Sequence, residues 1–274
     1  MILHKLPPFQ NVGASQTAVM PFVISGMTVV GFLFKRGGTA FTAAHVSNVR
    51  CRLDGKQFAD ITGTHVDAVS AYERIGALAN YMFLPFGDLN AKTQQGQLIG
   101  AIDTSIPGIK PMEMEVDIGA ATAPTLEAWA ILAPPKSNQD PNKFTIRAYL
   151  KAIHAPAAAG EFSQPIPLGS RRGALLHRLY SFHANVTKLQ VSKDGLWLLQ
   201  EGEEALLDYM HGLTSRTAQA GLLAYDPTFN DVQSDAIATL RPNREPADFQ
   251  FKFTVSAADT ITTYSSLYTT IDRV

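Results

Sequence analysis

Three carboxylates alternate with apolar residues in Glu113-Met114-Glu115-Val116-Asp117-Ile118. That period places Glu113, Glu115 and Asp117 on one face of a strand and the apolar side chains on the other. Such oxygens could hold a divalent cation or form a glycosidase pair. Glycosidase chemistry needs two carboxyls facing each other across a cleft at about 5–10 Å, whereas neighbours on one strand face lie side by side. A solvated or inter-subunit surface therefore explains the acidic face, with calcium at a subunit interface as the one cofactor it leaves open. His177 and His183 share a face of a strand-like segment, but six strand residues separate them by about 20 Å, too far to share a metal. Cys51 is the only cysteine. It excludes an intrachain disulfide and a cysteine-rich metal site, and in a strand pattern it acts as a small packing residue.

A second motif is Gly37-Gly38-Thr39-Ala40-Phe41-Thr42-Ala43-Ala44-His45-Val46. Its run Thr42-Ala43-Ala44-His45 resembles the histidine segment of chymotrypsin-like serine proteases. Their chemistry needs a histidine base, a buried carboxylate to orient it, and a serine beside an oxyanion hole. The resemblance makes His45 the base. No Gly-Asp-Ser-Gly-Gly-like turn follows, and the nearest phrase, Leu168-Gly169-Ser170-Arg171-Arg172, lacks the glycines whose amides form the hole. No Asp-x-Ala-Leu segment supplies the carboxylate. Gly-x-Gly-x-x-Gly, a phosphate-binding loop, His-Glu-x-x-His and a calcium-hand loop are also absent from the sequence. A loop or strand-end histidine is the simpler account. No catalytic, cofactor-binding or metal residue is assigned, and a serine hydrolase built on Thr42–His45 stands as the alternative function.

Composition narrows the partners. Charged residues make up 17% of the 274 residues, against about 25% in ordinary domains. Interface centres are depleted in charge, so a surface covered by other subunits fits this figure. With a net charge of −1 and only Arg171-Arg172 as a basic pair, direct binding of nucleic acid is disfavoured. Pro7-Pro8 and Gln10-Asn11 interrupt any signal-peptide core. The uncharged stretch from Leu6 to Phe34 is long enough to span a bilayer. Pro21, Gly26 and its β-branched residues instead predict two strands, Thr17–Ile24 and Met27–Phe34, joined at Ser25-Gly26.

The elements that would position these residues recur. Asn48 to Leu53 reads as a strand entering an Asp54-Gly55 turn, followed by a helix over 64–76 with Thr64 as N-cap, Asp67 three residues on and Gly76 as its stop. Lys193-Asp194-Gly195-Leu196-Trp197 repeats the strand end and turn 140 positions later (194 − 54). A helix over 203–213 follows, with Ala205, Leu206, Tyr209, Met210 and Leu213 in one apolar stripe. Strands at 81–86 and 113–118 match strands at 222–225 and 250–255, and 126–132 matches 261–268. Phe144–Ile153 and Leu175–Ala184 are further strands, and Ala133 to Asn138 reads as a linker. A repeat of this length made of short strands predicts an all-β fold of two tandem jelly-roll β-sandwiches with short helices in loops. The expected domains are 1–136 and 137–274, with the linker at about 133–143.

The chain resembles the major capsid proteins of tailless icosahedral bacterial viruses with an internal membrane, of the corticovirus type. The likeness rests on Asn11-Val12-Gly13-Ala14, on Asn48-Val49-Arg50-x-Arg52-Leu53-Asp54-Gly55-Lys56 and on Asp194-Gly195-Leu196-Trp197. It implies a double jelly roll, a homotrimer with a pseudo-sixfold outline, and an icosahedral shell. It also implies contacts with neighbouring capsomers, vertex proteins and the internal membrane. The family has no catalytic residues to carry over. The expected location is the virion, after assembly in the host cytoplasm, which one unpaired cysteine suits.

Overall fold

The computed structural model describes residues 1–76, 79–106, 111–140, 142–169, 173–214 and 216–270. The chain forms two compact units, Met1–Tyr149 and Leu150–Thr269. The first contains β1 (Ile2–Lys5), β2 (Thr17–Phe22), β3 (Thr28–Thr39), β4 (Val46–Leu53) and β5 (Lys56–Ile61), then α1 (Gly63–Tyr72) and β6 (Tyr81–Pro85). It continues through α2 (Gln94–Leu98), β7 (Ile102–Asp103), β8 (Met112–Ile118) and β9 (Thr122–Ala133) into β10 (Thr145–His154), within which the units divide. The second holds β11 (Gly160–Gln164), β12 (Leu175–Phe182), β13 (Val186–Lys193), β14 (Leu196–Glu203) and α3 (Glu204–Gly212). After these come β15 (Leu222–Tyr225), β16 (Ile237–Ala238), β17 (Phe249–Val255) and β18 (Ile261–Thr270).

Strand order is the same in both. The first unit has a sheet β1-β9-β3-β6, with β7 beside β3, and a run β5-β4-β8-β2. The second has β10-β18-β12-β15, with β16 beside β12, and β14-β13-β17-β11. Neighbouring strands in sequence repeatedly fall in different sheets, which is the double Greek-key wiring of a jelly roll.

Local chemistry explains the repeated parts. Asp54 and Gly55 (φ 53° and 76°) and Asp194 and Gly195 (φ 52° and 80°) all lie in the left-handed region. Each pair closes a two-residue hairpin, between Leu53 and Lys56 and between Lys193 and Leu196, as type I′ turns require. The expected strands at 17–24 and 27–34 form as β2 and β3, in separate sheets. No helix among the described residues is long and apolar enough to cross a membrane. β9 runs through Ala133, and beyond it the buried Lys136 donates from Nζ to the carbonyls of Ile99, Asn142 and Thr145 at 2.9–3.2 Å.

Helix α1 starts earlier and stops sooner than its sequence suggests. Thr62, rather than Thr64, is the N-cap, its hydroxyl accepting from the His65 amide at 3.4 Å. Asp67 pairs with Arg36 at 3.2 Å instead of closing a capping box. At the other end Arg74 takes the positive φ usually given to glycine (52°). Ile75 N–H donates to Ser70 O and Arg74 N–H to Ala71 O, a Schellman closure that ends the helix before Gly76.

Apolar faces meet inside each unit. In the first, Phe32 packs edge-on against Phe22 and Phe86 at 5.5 and 5.3 Å, and Phe58 lies 5.3 Å from Phe86. Gly31 sits where a Cβ would come within 2.7 Å of the Phe83 ring and the Leu84 carbonyl. In the second, Leu176, Leu179, Leu189, Val191, Phe251, Phe253 and Leu267 form the centre.

Candidate functional site: strand surfaces in place of a catalytic centre

His45 ends a 3-10 turn, Ala43–His45. The Thr42 amide donates to its Nδ1 at 3.2 Å, and the Thr42 hydroxyl lies 3.0 Å from the same nitrogen. An accepting Nδ1 puts the proton of the neutral ring on Nε2. A serine-protease base needs the reverse, with Nδ1–H donating to a carboxylate and Nε2 free to take the serine proton. His45 is a capping residue. Ser170, Arg171 and Arg172, the nearest nucleophile phrase, lie outside the described residues.

The acidic face exists, and arginines occupy it. On β8, Glu113, Glu115 and Asp117 face Arg52 and Arg50 of β4, through the register Arg52–Glu113 and Arg50–Glu115. Arg50 donates from Nε to Glu115 at 2.9 Å and from Nη2 to Asp117 at 2.7 Å. Arg52 bonds Glu113 at 3.0 Å and also reaches Glu115. Thr17 Oγ1 donates to Asp117 at 2.7 Å, extending the ladder to β2. The arginines have a sequence signal: Arg50 and Arg52 alternate with Val49, Cys51 and Leu53 as the acids alternate with their own apolar partners. Cys51 points inward, and burial pushes its thiol well above the usual range, so thiolate chemistry is suppressed.

The two histidines are apart in role as well as in chain. His177 is buried in β12, stacked on Tyr268 at 4.5 Å, with Nδ1 3.2 Å from Ser266 Oγ. His183 follows β12 and accepts the Val186 amide on Nδ1 at 3.1 Å. Among the described residues no group of three or more His, Cys, Asp or Glu could hold a metal ion.

Sequence reasoning missed the buried ion pairs. Asp226, after β15, receives Arg178 Nε and Arg216 Nε at 2.8 Å each, and its other oxygen takes the Thr228 amide and hydroxyl. Burial alone would raise its carboxyl, but Arg178 and Arg216 outweigh that and hold it below the usual carboxylate range. Arg216 also bonds Asp231 at 2.8 Å. In the first unit Glu73 and Arg147 are likewise buried and paired. Both Asp226 oxygens accept hydrogen bonds, which suits bracing rather than proton transfer.

An exposed apolar surface is the remaining feature. Leu196, Trp197 and Leu198 on β14 are 73%, 50% and 40% exposed. Glu203 then leads straight into α3, where Leu206, Tyr209 and Met210 are also exposed, as is Leu213 at its C-cap. The stripe expected from 3.6-residue spacing forms, but it faces outward. Leu207 and His211 face inward instead. Adjacent exposed apolar side chains of this kind mark an interaction surface.

Two jelly rolls in tandem, with apolar side chains exposed on β14 and α3, define a double-jelly-roll protein. Family models agree: that of the viral coat protein P2 N-terminal domain matches residues 3–134, and that of the P2 C-terminal domain matches residues 146–270. The chain belongs to the viral coat protein P2 family and is a structural component of a virion, not an enzyme. It is similar in structure to the major capsid protein P2 from bacteriophage PM2, with a TM-score of 0.83, 15% identity, and 100% and 99% of the two chains covered. A chain of Sulfolobus Turreted Icosahedral Virus matches with a TM-score of 0.69, 9% identity and 98% and 91% coverage. The Faustovirus major capsid protein matches at 0.57, 9% identity and 97% and 89% coverage. No curated protein matches the chain in sequence.

Proposed function

We propose that the chain is a major coat protein that works as a homotrimer, its six jelly rolls giving a capsomer of pseudo-sixfold outline in an icosahedral shell around an internal membrane. The observation that carries this reading is the identical strand order of the two units. Three chains with two like domains each can meet neighbours on six sides while keeping threefold symmetry. Capsomers would contact one another and vertex proteins through shape-matched edges, and one face would lie near the membrane. The net charge of −1 supports a shell that does not itself bind nucleic acid. Assembly in the host cytoplasm suits a chain whose only cysteine is buried and free. Native mass spectrometry tests the oligomer. A species of three times 29.7 kDa, about 89 kDa, is expected, and a persistent monomer at all concentrations would remove the reading.

A further inference from the structure

β14 is an edge strand. Among the described residues β13 is its one neighbour, so one row of its backbone amides and carbonyls faces away from the sheet. An edge flanked by exposed apolar side chains is a template for strand addition. Its counterpart in the first unit, β5, carries one parallel bridge within that unit, from Tyr149 to Ala59.

We infer that the β14 edge of one protomer receives β1 of a second copy of this chain, running parallel to it, with α3 covering the junction. The inference rests on the homotrimer reading and names the surfaces that would close it. β1 is also an edge strand, beside β9 alone among the described residues. All four of its residues are exposed, with Ile2 and Leu3 at 57% and 59%. The sequences complement each other in the parallel sense. β14 begins with Leu196-Trp197-Leu198 and ends at Glu201 and Glu203, while β1 begins Ile2-Leu3 and ends His4-Lys5. Apolar side chains would meet first and opposite charges last.

The acidic end has cations of its own. Lys188 lies 3.5 and 3.4 Å from Glu201 and Glu203, and His183 3.5 Å from Glu204. On the β1 side Lys5 holds Glu127 at 2.8 Å, so pairing would place that exposed ion pair beside the Glu201–Lys188 pair. Because the two surfaces differ, the contact is head-to-tail, the type that generates a ring when its rotation closes.

The test uses the full chain. Leu3→Cys and Leu198→Cys are introduced together, and the assembled protein is treated with a short bismaleimide. Linkage between copies on a denaturing gel, absent from either single variant, is the expected result. In parallel, Trp197→Glu with Leu198→Glu is weighed by native mass spectrometry, where a shift from about 89 kDa to the 29.7 kDa monomer is expected at an unchanged far-ultraviolet spectrum. A wild-type trimer that neither links at these positions nor dissociates with the charges overturns the inference and leaves the trimer standing. A wild-type monomer overturns both.

Discussion

The β5–α1 and β14–α3 segments have the same place in the two jelly rolls and opposite surroundings. Both follow an Asp-Gly type I′ turn, and both run from an outer strand directly into a helix. In the first, Phe58, Ala59 and Ile61 are buried, as are Val66, Val69 and Tyr72 of the helix. In the second, Leu196, Trp197, Leu198, Tyr209 and Leu213 remain exposed. Val66 and Leu207 occupy matching inward positions, so the helices sit in the same orientation. What differs is the burial of the apolar side chains around them, complete in one and partial in the other. Fold sets which way a residue points; whether the outward side is wet depends on what else is present, and that is where a duplicated domain can acquire an interface.

The largest effects should come from the buried charges, because they test whether the two units are braced alike. Removing one partner of a buried ion pair typically costs about 3–5 kcal/mol. Asp226→Ala, which removes the carboxylate shared by Arg178 and Arg216, is expected in that range by denaturant unfolding. Glu73→Ala, which removes the carboxylate paired with Arg147, should cost a similar amount. The Asp226 loss should also fade with acid. Its folded carboxyl titrates below the unfolded value of about 3.9, so the stabilisation is complete above that pH and is lost as pH falls toward the folded value. The gap between wild type and Asp226→Ala should therefore be constant from pH 5 to 8 and narrow below about 4. A gap constant down to pH 2 would assign the effect to packing alone.

Next comes the contrast itself, at two positions with the same place after their turns. Phe58 is buried in β5, and truncating such a phenylalanine costs about 3–5 kcal/mol. Phe58→Ala should lower the unfolding midpoint equally at all protein concentrations. Leu198→Ala should change the stability of the isolated chain by less than about 1 kcal/mol. Its effect should instead grow as the protein concentration is raised and vanish on dilution, since a subunit contact contributes by mass action. Equal, concentration-independent losses at both positions would abolish the distinction between a core strand and an interface strand.

How much of this could be read from the sequence follows from the range of the forces involved. The two Asp-Gly turns, the alternating β8 and the duplicated order of elements are local in cause, and composition and period reveal them. The Arg74 helix stop was invisible because arginine rarely takes a positive φ, and only the carbonyls of Ser70 and Ala71 reward it. The α3 stripe was legible as a stripe, yet its direction was not, since outward and inward apolar faces have the same spacing. The Asp226 cluster gathers residues from β12 and the loops on either side of β15, a meeting that follows from topology alone. His45 favours the simpler of its two readings: a four-residue resemblance suggested chemistry, and the Thr42 amide bonded to its Nδ1 makes it a capping residue.

Smaller effects should come from the turns, where the two units are truly alike. A Cβ added at Gly55 or Gly195 meets nothing within 4 Å, so the cost of alanine there is purely that of a left-handed backbone, about 1–2 kcal/mol. Gly55→Ala and Gly195→Ala should therefore lose the same amount in thermal unfolding. A much larger loss at Gly195 would mean that the β14 end of the hairpin is under load from a partner.

The smallest effect is expected on removing divalent cations. The oxygens of Glu113, Glu115 and Asp117, the natural ligands for an interfacial calcium, accept from Arg50, Arg52 and Thr17. A cation would have to displace guanidinium groups that already neutralise two of the three charges, which opposes rather than assists its binding. Dialysis against a chelator should leave the native mass and the unfolding temperature unchanged. A fall in either that calcium restores, and that Arg52→Gln relieves, would place the ion on this strand face and make the arginines its competitors.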